Sequence, residues 1–323
     1  MYFNNTNNFF HGIMFHHFHD KKIHKKGQGS ISKDDFYKII KFIGRKNIID
    51  ADIFFEKLKD NKLKKNDICF TFDDAIKCQI DVALPVLEDL KIKSFFFVYT
   101  SMFEGKPDNL EIFRYFRMNY FNNVEEFYNI FYKVLNKNLK NFFKKNNNKI
   151  NKIKKKYLFY SIEDIKFRLV RDLYLTKKEY EKNMFILMKE KKFDQKKIKS
   201  HLFFDKKDLN LLDSMGHTIG LHSHNHPTEI NSLSFKDQKK EYSTCLKILS
   251  KILKKKSDSI KTASHPLGKY NNDSLKILKE LGIELAFKDS MHIDKEKKMK
   301  KINNSFLEIA RQDHIEVVKK MKQ

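Results

Sequence analysis

An apolar run closes on two adjacent carboxylates at Ile68-Cys69-Phe70-Thr71-Phe72-Asp73-Asp74. β-Branched and aromatic residues entered from a turn-like Lys65-Asn66-Asp67 predict a strand. Neighbouring strand side chains point to opposite faces, so Asp73 and Asp74 have different tasks at its mouth. Helical spacing follows over 80–90 (Val82, Leu84, Val86, Leu87, Leu90), with Pro85 tolerated in the first turns. Residues 93–100 then form a strand apolar enough to be buried on both faces. Strand, helix, strand at this spacing is a parallel β-α-β unit, which commits the chain to a sheet connected by helices.

The pattern recurs along the chain. Further short strands are expected at 12–15, 217–221, 260–263, 284–287 and 305–310, and helices at 32–43 (capped by Ser32), 51–58, 208–215, 234–253 and 273–281 (closed by Gly282). Five strands run into polar clusters at their C-terminal ends: His16 to Asp20, Asp73-Asp74, His222 to His226, Ser264-His265, and Arg311 to His314. All but His201 and His292 of the 13 histidines lie in or beside these segments. Parallel β/α barrels gather their active-site groups on that face. The expected class is therefore α/β, one barrel domain over 1–323. Residues 101–204 change character to helical periodicity and are expected to be a helical insertion, a lid or a substrate-selecting cap. Within it, the Lys- and Asn-rich patch 144–156 is expected to be a solvated loop.

Composition narrows the partner. The formal charge is +25, which points to acidic partners such as nucleic acid, anionic lipid or acidic glycan. However, Lys, Asn, Ile and Phe are all abundant, Trp is absent, and the lysines are spread along the chain, as an AT-rich genome would write it. A nucleic-acid partner is not expected. The Gly27-Gln28-Gly29-Ser30 loop is no P-loop and reads as an ordinary flexible loop. Three cysteines without a CxxC pair make no disulfide framework, which fits a reducing compartment. Met1-Tyr2-Phe3-Asn4-Asn5 lacks the pattern of a signal peptide, and no run approaches the roughly 18 apolar residues of a membrane span. The expected location is cytoplasmic; oligomeric state is open.

His222 and His226, four residues apart on a turn leaving a strand, need one carboxylate to form a two-His, one-carboxylate metal site, and Asp74 supplies it. Three protein ligands leave positions open for water and substrate, the catalytic pattern. Imidazole with carboxylate suits Zn²⁺, with Co²⁺ or Ni²⁺ as alternatives. Asp73, beside such a metal, is placed to act as general base.

Thr71-Phe72-Asp73-Asp74 resembles the first motif of the polysaccharide deacetylases, carbohydrate esterase family 4, and His222-Ser223-His224-Asn225-His226-Pro227 resembles their second motif. The resemblance covers about residues 11–100 and 205–315 and implies a distorted (β/α) barrel, with Asp73 as catalytic base and Asp74, His222 and His226 as metal ligands. The family usually has Gly where this chain has Ala75. Its third motif usually carries an Arg that orients the base. Here Ser264-His265-Pro266-Leu267-Gly268-Lys269-Tyr270-Asn271 has none, and resembles a divergent Ser-His-Pro branch met beside surface-glycan biosynthesis enzymes. By that likeness Pro266, Gly268 and Tyr270 fall on the substrate side. The late motif carrying the proton donor is replaced by Leu307 to His314, so His314 is the candidate donor, with His265 and His17 as rivals. His17 is also a substrate-binding candidate. Arg311 is expected to stand in for the missing arginine or to bind an acidic sugar.

The function this implies is metal-dependent hydrolysis of an N-acetyl group, or secondarily an O-acetyl group, on a sugar or glycan precursor of surface polysaccharide. A metal-dependent hydrolase of cyclic amides and a non-catalytic binder of anionic glycan are the rival readings.

Overall fold

A computed structural model of the chain describes residues 9–27, 29–156, 160–293 and 299–323. The N-terminal residues read for a signal peptide, and Gln28 of the glycine loop, lie outside them. The chain divides into two compact units: Met1–Asp20, Ser30–Asp108 and Ser200–Gln323 form the first, and Lys21–Gly29 with Asn109–Lys199 the second.

The first unit is the barrel. Among the described residues it has seven strands, β1 His11–Phe15, β2 Ile68–Asp73, β3 Phe95–Val98, β4 Thr218–Leu221, β5 Thr262–Ser264, β6 Leu285–Phe287 and β7 Arg311–Asp313. All pair in parallel, in the order β6-β5-β4-β3-β2-β1-β7. A parallel bridge from Phe287 to Ile309, two residues before β7, brings the two edges of the sheet together and nearly closes the barrel. Closure removes the exposed sheet edges that would otherwise template aggregation.

Strand parity sorts the side chains into two layers. Phe15, Phe70 and Phe72 face outward with Phe36 of the helix Lys33–Ile43, in edge and stacked contacts 5.0–6.2 Å apart. That helix starts where expected, because Ser32 and Asp35 form a capping box. The inward layer must fit a narrow lumen. Cys69, Phe95, Phe97, Leu285, Phe287 and Ile309 fill it, plugged by Ala51, Phe54 and Leu58 of the helix Ala51–Lys59. Two strand glycines answer to the remaining space. A Cβ on Gly12 would stand 3.1 Å from the Arg311 side chain, and one on Gly220 would stand 2.5 Å from Thr262 Oγ1 and 2.7 Å from the Phe97 ring.

Two boundaries differ from expectation. The last strand, expected at 305–310, is Arg311–Asp313. Pairing of Gly12 with Arg311 sets this register, and the missing side chain at Gly12 leaves room for the arginine. Apolar run length could not show that a charged residue occupies an inward strand position. The patch 144–156 is not a loop: Asn147–Lys156 is helical. Its Ile150 and Ile153, one turn apart, join a small cluster with Ile165 and Leu169 that the lysines around them obscured.

The second unit is helical, with Asn109–Asn119, Val124–Leu135, Lys140–Lys145, Asn147–Lys156, Ile162–Leu169 and Lys177–Glu190. Its core is aromatic: Phe113, Phe116, Phe127, Tyr128, Phe131, Phe167 and Tyr180 are all buried. The Arg117 guanidinium lies over the rings of Phe127 and Phe167 at 5.7 and 5.1 Å.

The lumen analysis predicts that Gly220→Ala destabilises the barrel by about 2–3 kcal/mol, the cost of overpacking a tight site. Chemical denaturation checks this, as a fall in midpoint at unchanged slope.

Candidate active site

Parity aims Asp73 into the barrel, where it is 2% exposed. Asp74 would then point outward, but the chain leaves the strand through left-handed backbone at Asp74 (φ 73) and Ala75 (φ 50), which swings Asp74 back over the mouth. Left-handed backbone costs a non-glycine residue about 1–2 kcal/mol. The position where the resembling family usually has Gly is therefore one where an alanine is strained. A hydrogen bond from Phe204 N to the Ala75 carbonyl, 2.9 Å, helps to hold it.

β4 delivers the second half of the site. His222 follows the strand, with its backbone N–H bonded to the Val98 carbonyl. The turn after it is left-handed at Ser223 (φ 65) and His226 (φ 52), and is closed by the His226 N–H on Ser223 Oγ, 3.2 Å. From the helix Phe235–Leu253, Glu241 accepts the backbone N–H groups of His224 and Asn225 at 3.0 and 2.7 Å and the Asn225 amide at 2.7 Å. One carboxylate thus fixes the turn that carries both imidazoles.

Asp74 Oδ1 lies 3.2 Å from His222 Nε2 and 3.3 Å from His226 Nε2. These three atoms lie within 4.8 Å of one another. Each imidazole has committed its other nitrogen: His222 Nδ1 donates to the Ser264 carbonyl at 2.9 Å, and His226 Nδ1 to Asp108 Oδ2 at 2.9 Å. That fixes the tautomer, so in the neutral rings both Nε2 lone pairs face a carboxylate oxygen. Asp74 Oδ1 and His226 Nε2 are buried with no hydrogen-bond partner among the described residues. Such a cluster needs a positive charge at its centre. Burial would lower the His226 pKa, but the negative charges of Asp74 and Asp108 outweigh it and push the ring up to about 9. Burial likewise works to raise Asp74, and the positive pull of His226, His16 and His222 overcomes it, so the carboxyl stays ionised well below the usual range. The donor set, its orphaned atoms and its second-layer bonds fit a divalent ion of the Zn²⁺ kind.

Asp73 sits beside this cluster, Oδ2 3.9 Å from His222 Nε2. Arg311 Nη1 donates to its Oδ1 at 2.7 Å and Ser264 Oγ to its Oδ2 at 3.2 Å. The arginine is itself held, by Nε on the Lys288 carbonyl (2.8 Å), Nη2 on Ser264 Oγ (2.8 Å) and Nη1 on Thr71 Oγ1 (3.3 Å). Burial opposes ionisation of Asp73, but the Arg311 charge and its hydrogen bond, with His222 and His16 behind them, hold the carboxyl below its ordinary value. Arg311 is 1% exposed, so its guanidinium is buried in the barrel against Asp73.

The other expected residues are placed differently. His314 is buried in the outer layer, stacked on Phe15 with Nδ1 on the Met14 carbonyl. His265 is fully buried, its Nε2 on the Leu307 carbonyl and its ring stacked on Tyr270 at 4.2 Å. Tyr270 donates to Glu308 at 3.2 Å, and Pro266 is buried beside it. Gly268 (φ 65) passes so close to Asp289 that a Cβ would stand 2.1 Å from that carboxyl carbon. This is the packing of a structural corner. His17 is half-buried, its ring against that of His16 at 6.2 Å.

Two residues beside the cluster were not named as site candidates from the sequence. His16 Nε2 stands 3.8 Å from Asp74 Oδ2 with a partly exposed side chain. Strand parity carries the signal: Gly12 and Met14 face inward, and two residues on from Met14 is His16, not His17. Asp108, which orients His226, lies on no strand and left no sequence signal.

Comparison with known proteins shows what the fold and its β4 segment are similar to. Residues 151–286 match the family model described as polysaccharide deacetylase. That match spans less than half of the chain, and it includes the β4 turn with His222 and His226 but not Asp73 and Asp74. The fold is similar to the Streptococcus pyogenes deacetylase PplD solved with acetate (14% identity, TM-score 0.54, 94% of this chain and 91% of that one). It is also similar to a de-N-acetylase from Aggregatibacter actinomycetemcomitans (12%, TM-score 0.53, 96% and 98%) and to IcaB from Ammonifex degensii (12%, TM-score 0.51, 95% and 91%). No curated protein matches the sequence. Among the described residues no helix is long and apolar enough to cross a membrane.

The geometry predicts that His222→Ala and Asp74→Asn lose stoichiometric divalent metal, while Asp108→Asn retains the site but binds about 10–100-fold more weakly. Metal analysis after dialysis and titration calorimetry with Zn²⁺ check this.

Proposed function

We propose that the chain is a metal-dependent hydrolase that removes an N-acetyl group from a sugar or glycan precursor of surface polysaccharide. The observation that carries this reading is the pair of adjacent carboxylates in separate roles. Asp74 faces two imidazole nitrogens as a ligand, and Asp73 is clamped by Arg311 next to it. A divalent ion held by Asp74, His222 and His226 would polarise the acetyl carbonyl and acidify a water.

The protein's own groups account for the protons. Arg311 holds Asp73 Oδ1, which leaves Oδ2, on the His222 side, to take the proton of the attacking water. Ser264 serves both residues, donating to Asp73 Oδ2 through its hydroxyl and accepting from His222 through its carbonyl, so base and ligand are held as one unit. Cleavage of an amide releases an amine, which leaves only when protonated. His16, at the mouth and partly open to solvent, is the imidazole placed to donate that proton. Water and acetamido sugar thus become acetate and amino sugar, with one proton taken by Asp73 and one given by His16.

Acetate release from N-acetylated oligosaccharides and sugar nucleotides tests the reading. Asp73→Asn is expected to lose about 10²–10⁴-fold in turnover while still binding metal; full activity in that variant overturns the mechanism. His16→Gln separates the amide reaction from ester cleavage. It is expected to lose N-deacetylation by about 10²-fold or more, yet to hydrolyse an activated acetyl ester, whose leaving group needs no proton, at close to the parent rate. Equal losses on both substrates remove His16 from the role of donor.

A further inference from the structure

The charge of this chain is not evenly divided between its two units. The helical unit, residues 21–29 and 109–199, holds 28 of the 66 Lys and Arg but only 10 of the 41 Asp and Glu. Its net charge is therefore +18, leaving +7 for the barrel unit out of the total of +25. Compositional bias spreads lysine through both units, as expected from the sequence. It does not explain why carboxylates are withheld from one of them.

Three of the four arginines of that unit are engaged internally. Arg168 pairs with the buried Asp164 at 2.8 Å, Arg171 pairs with Asp172, and Arg117 lies over the core rings. The exposed charge is therefore carried by lysines, compact and flexible cations with no planar fork for bidentate recognition of individual phosphates. The helix Lys177–Glu190 shows how they are presented. Lys178, Lys182, Phe185 and Lys189 follow one another at spacings of four, three and four, a single exposed stripe. Phe185 and Ile186 are 39% and 38% exposed and, with those lysines and Glu181, line one shallow depression of about 490 Å³. Elsewhere in the unit Ile162 and Leu173 are each 50% exposed and Tyr174 38%.

We infer that the helical unit docks on an anionic lipid surface, with its lysines over the headgroups and exposed side chains such as Phe185 and Ile186 entering the acyl boundary. A smeared cation layer interleaved with large apolar and aromatic side chains is the chemistry of an interfacial protein surface. A soluble polyanion would use the same lysines but has no use for the exposed apolar residues. Attachment of this kind requires no spanning helix, and none is found among the described residues.

The test uses the full chain and vesicles of phosphatidylcholine alone or with about one-third phosphatidylglycerol. Co-flotation is expected with the anionic vesicles only, weakening at least about tenfold as salt rises from about 50 to 300 mM. The triple variant Lys178→Glu, Lys182→Glu, Lys189→Glu is expected to bind anionic vesicles at least about tenfold more weakly, with far-UV circular dichroism and metal content unchanged. Lys→Gln at the same positions carries the same readout if the charge reversal disturbs folding. Phe185→Ser with Ile186→Ser is expected to remove the binding that survives high salt. Three results overturn the proposal: equal binding to neutral and anionic vesicles, triple variants that bind like the parent, or tighter binding to dextran sulfate or single-stranded RNA than to vesicles. None of these readouts depends on acetate release, so the deacetylase reading stands or falls separately.

Discussion

One carboxylate oxygen set against two imidazole nitrogens is the constraint around which the barrel mouth is built. Asp74 Oδ1 approaches His222 Nε2 and His226 Nε2 to 3.2 and 3.3 Å. Without a positive charge between them these groups repel, and the protein spends several contacts to hold them together. The Ser264 carbonyl and the Asp108 carboxylate turn the rings, Glu241 grips the turn, and four residues of the two site segments adopt left-handed backbone. Strain and orphaned polar atoms of this kind persist only where surrounding structure over-determines them, and they concentrate at functional sites.

Beneath that cluster a buried ion pair does separate work. Asp73 and Arg311 are 2% and 1% exposed and bond at 2.7 Å. Removing either partner would leave an uncompensated charge in the lumen, a cost of about 3–5 kcal/mol in comparable buried pairs. The pair also joins barrel closure to the chemistry. Arg311 belongs to the strand that completes the barrel beyond β1, and its side chain passes Gly12, where a Cβ would stand 3.1 Å from it.

The elements connect in a particular order. Strand parity gives Asp73 the inward position, and the left-handed backbone after it brings Asp74 to the mouth. The β4 turn supplies the imidazoles, and β5 supplies Ser264, whose hydroxyl and carbonyl reach Asp73 and His222. Three short strands far apart in sequence thus meet through one serine. The helical unit keeps its own aromatic core, and its surplus of lysine over carboxylate is a property of its surface and not of the catalytic groups.

Read alone, the sequence determined the parallel β/α architecture and the two halves of the Asp74, His222 and His226 cluster. Apolar runs ending in Asp73-Asp74 and in His222 to His226 encode these locally, through parity and spacing. It also contained His16, at an inward parity that was passed over for His17. Tertiary structure alone decided the rest. Arg311 was legible as a candidate partner of the base, but its depth in the lumen depended on a register set by pairing with Gly12. Asp108 has meaning only through the fold of a loop that brings it to His226. His314 and His265, plausible donors as letters in a motif, each set a ring nitrogen on a backbone carbonyl and stack on Phe15 and Tyr270. The physical reason is the same in each case: a strand's alternation is written in neighbouring residues, whereas a hydrogen bond across two hundred positions depends on the register of every strand between.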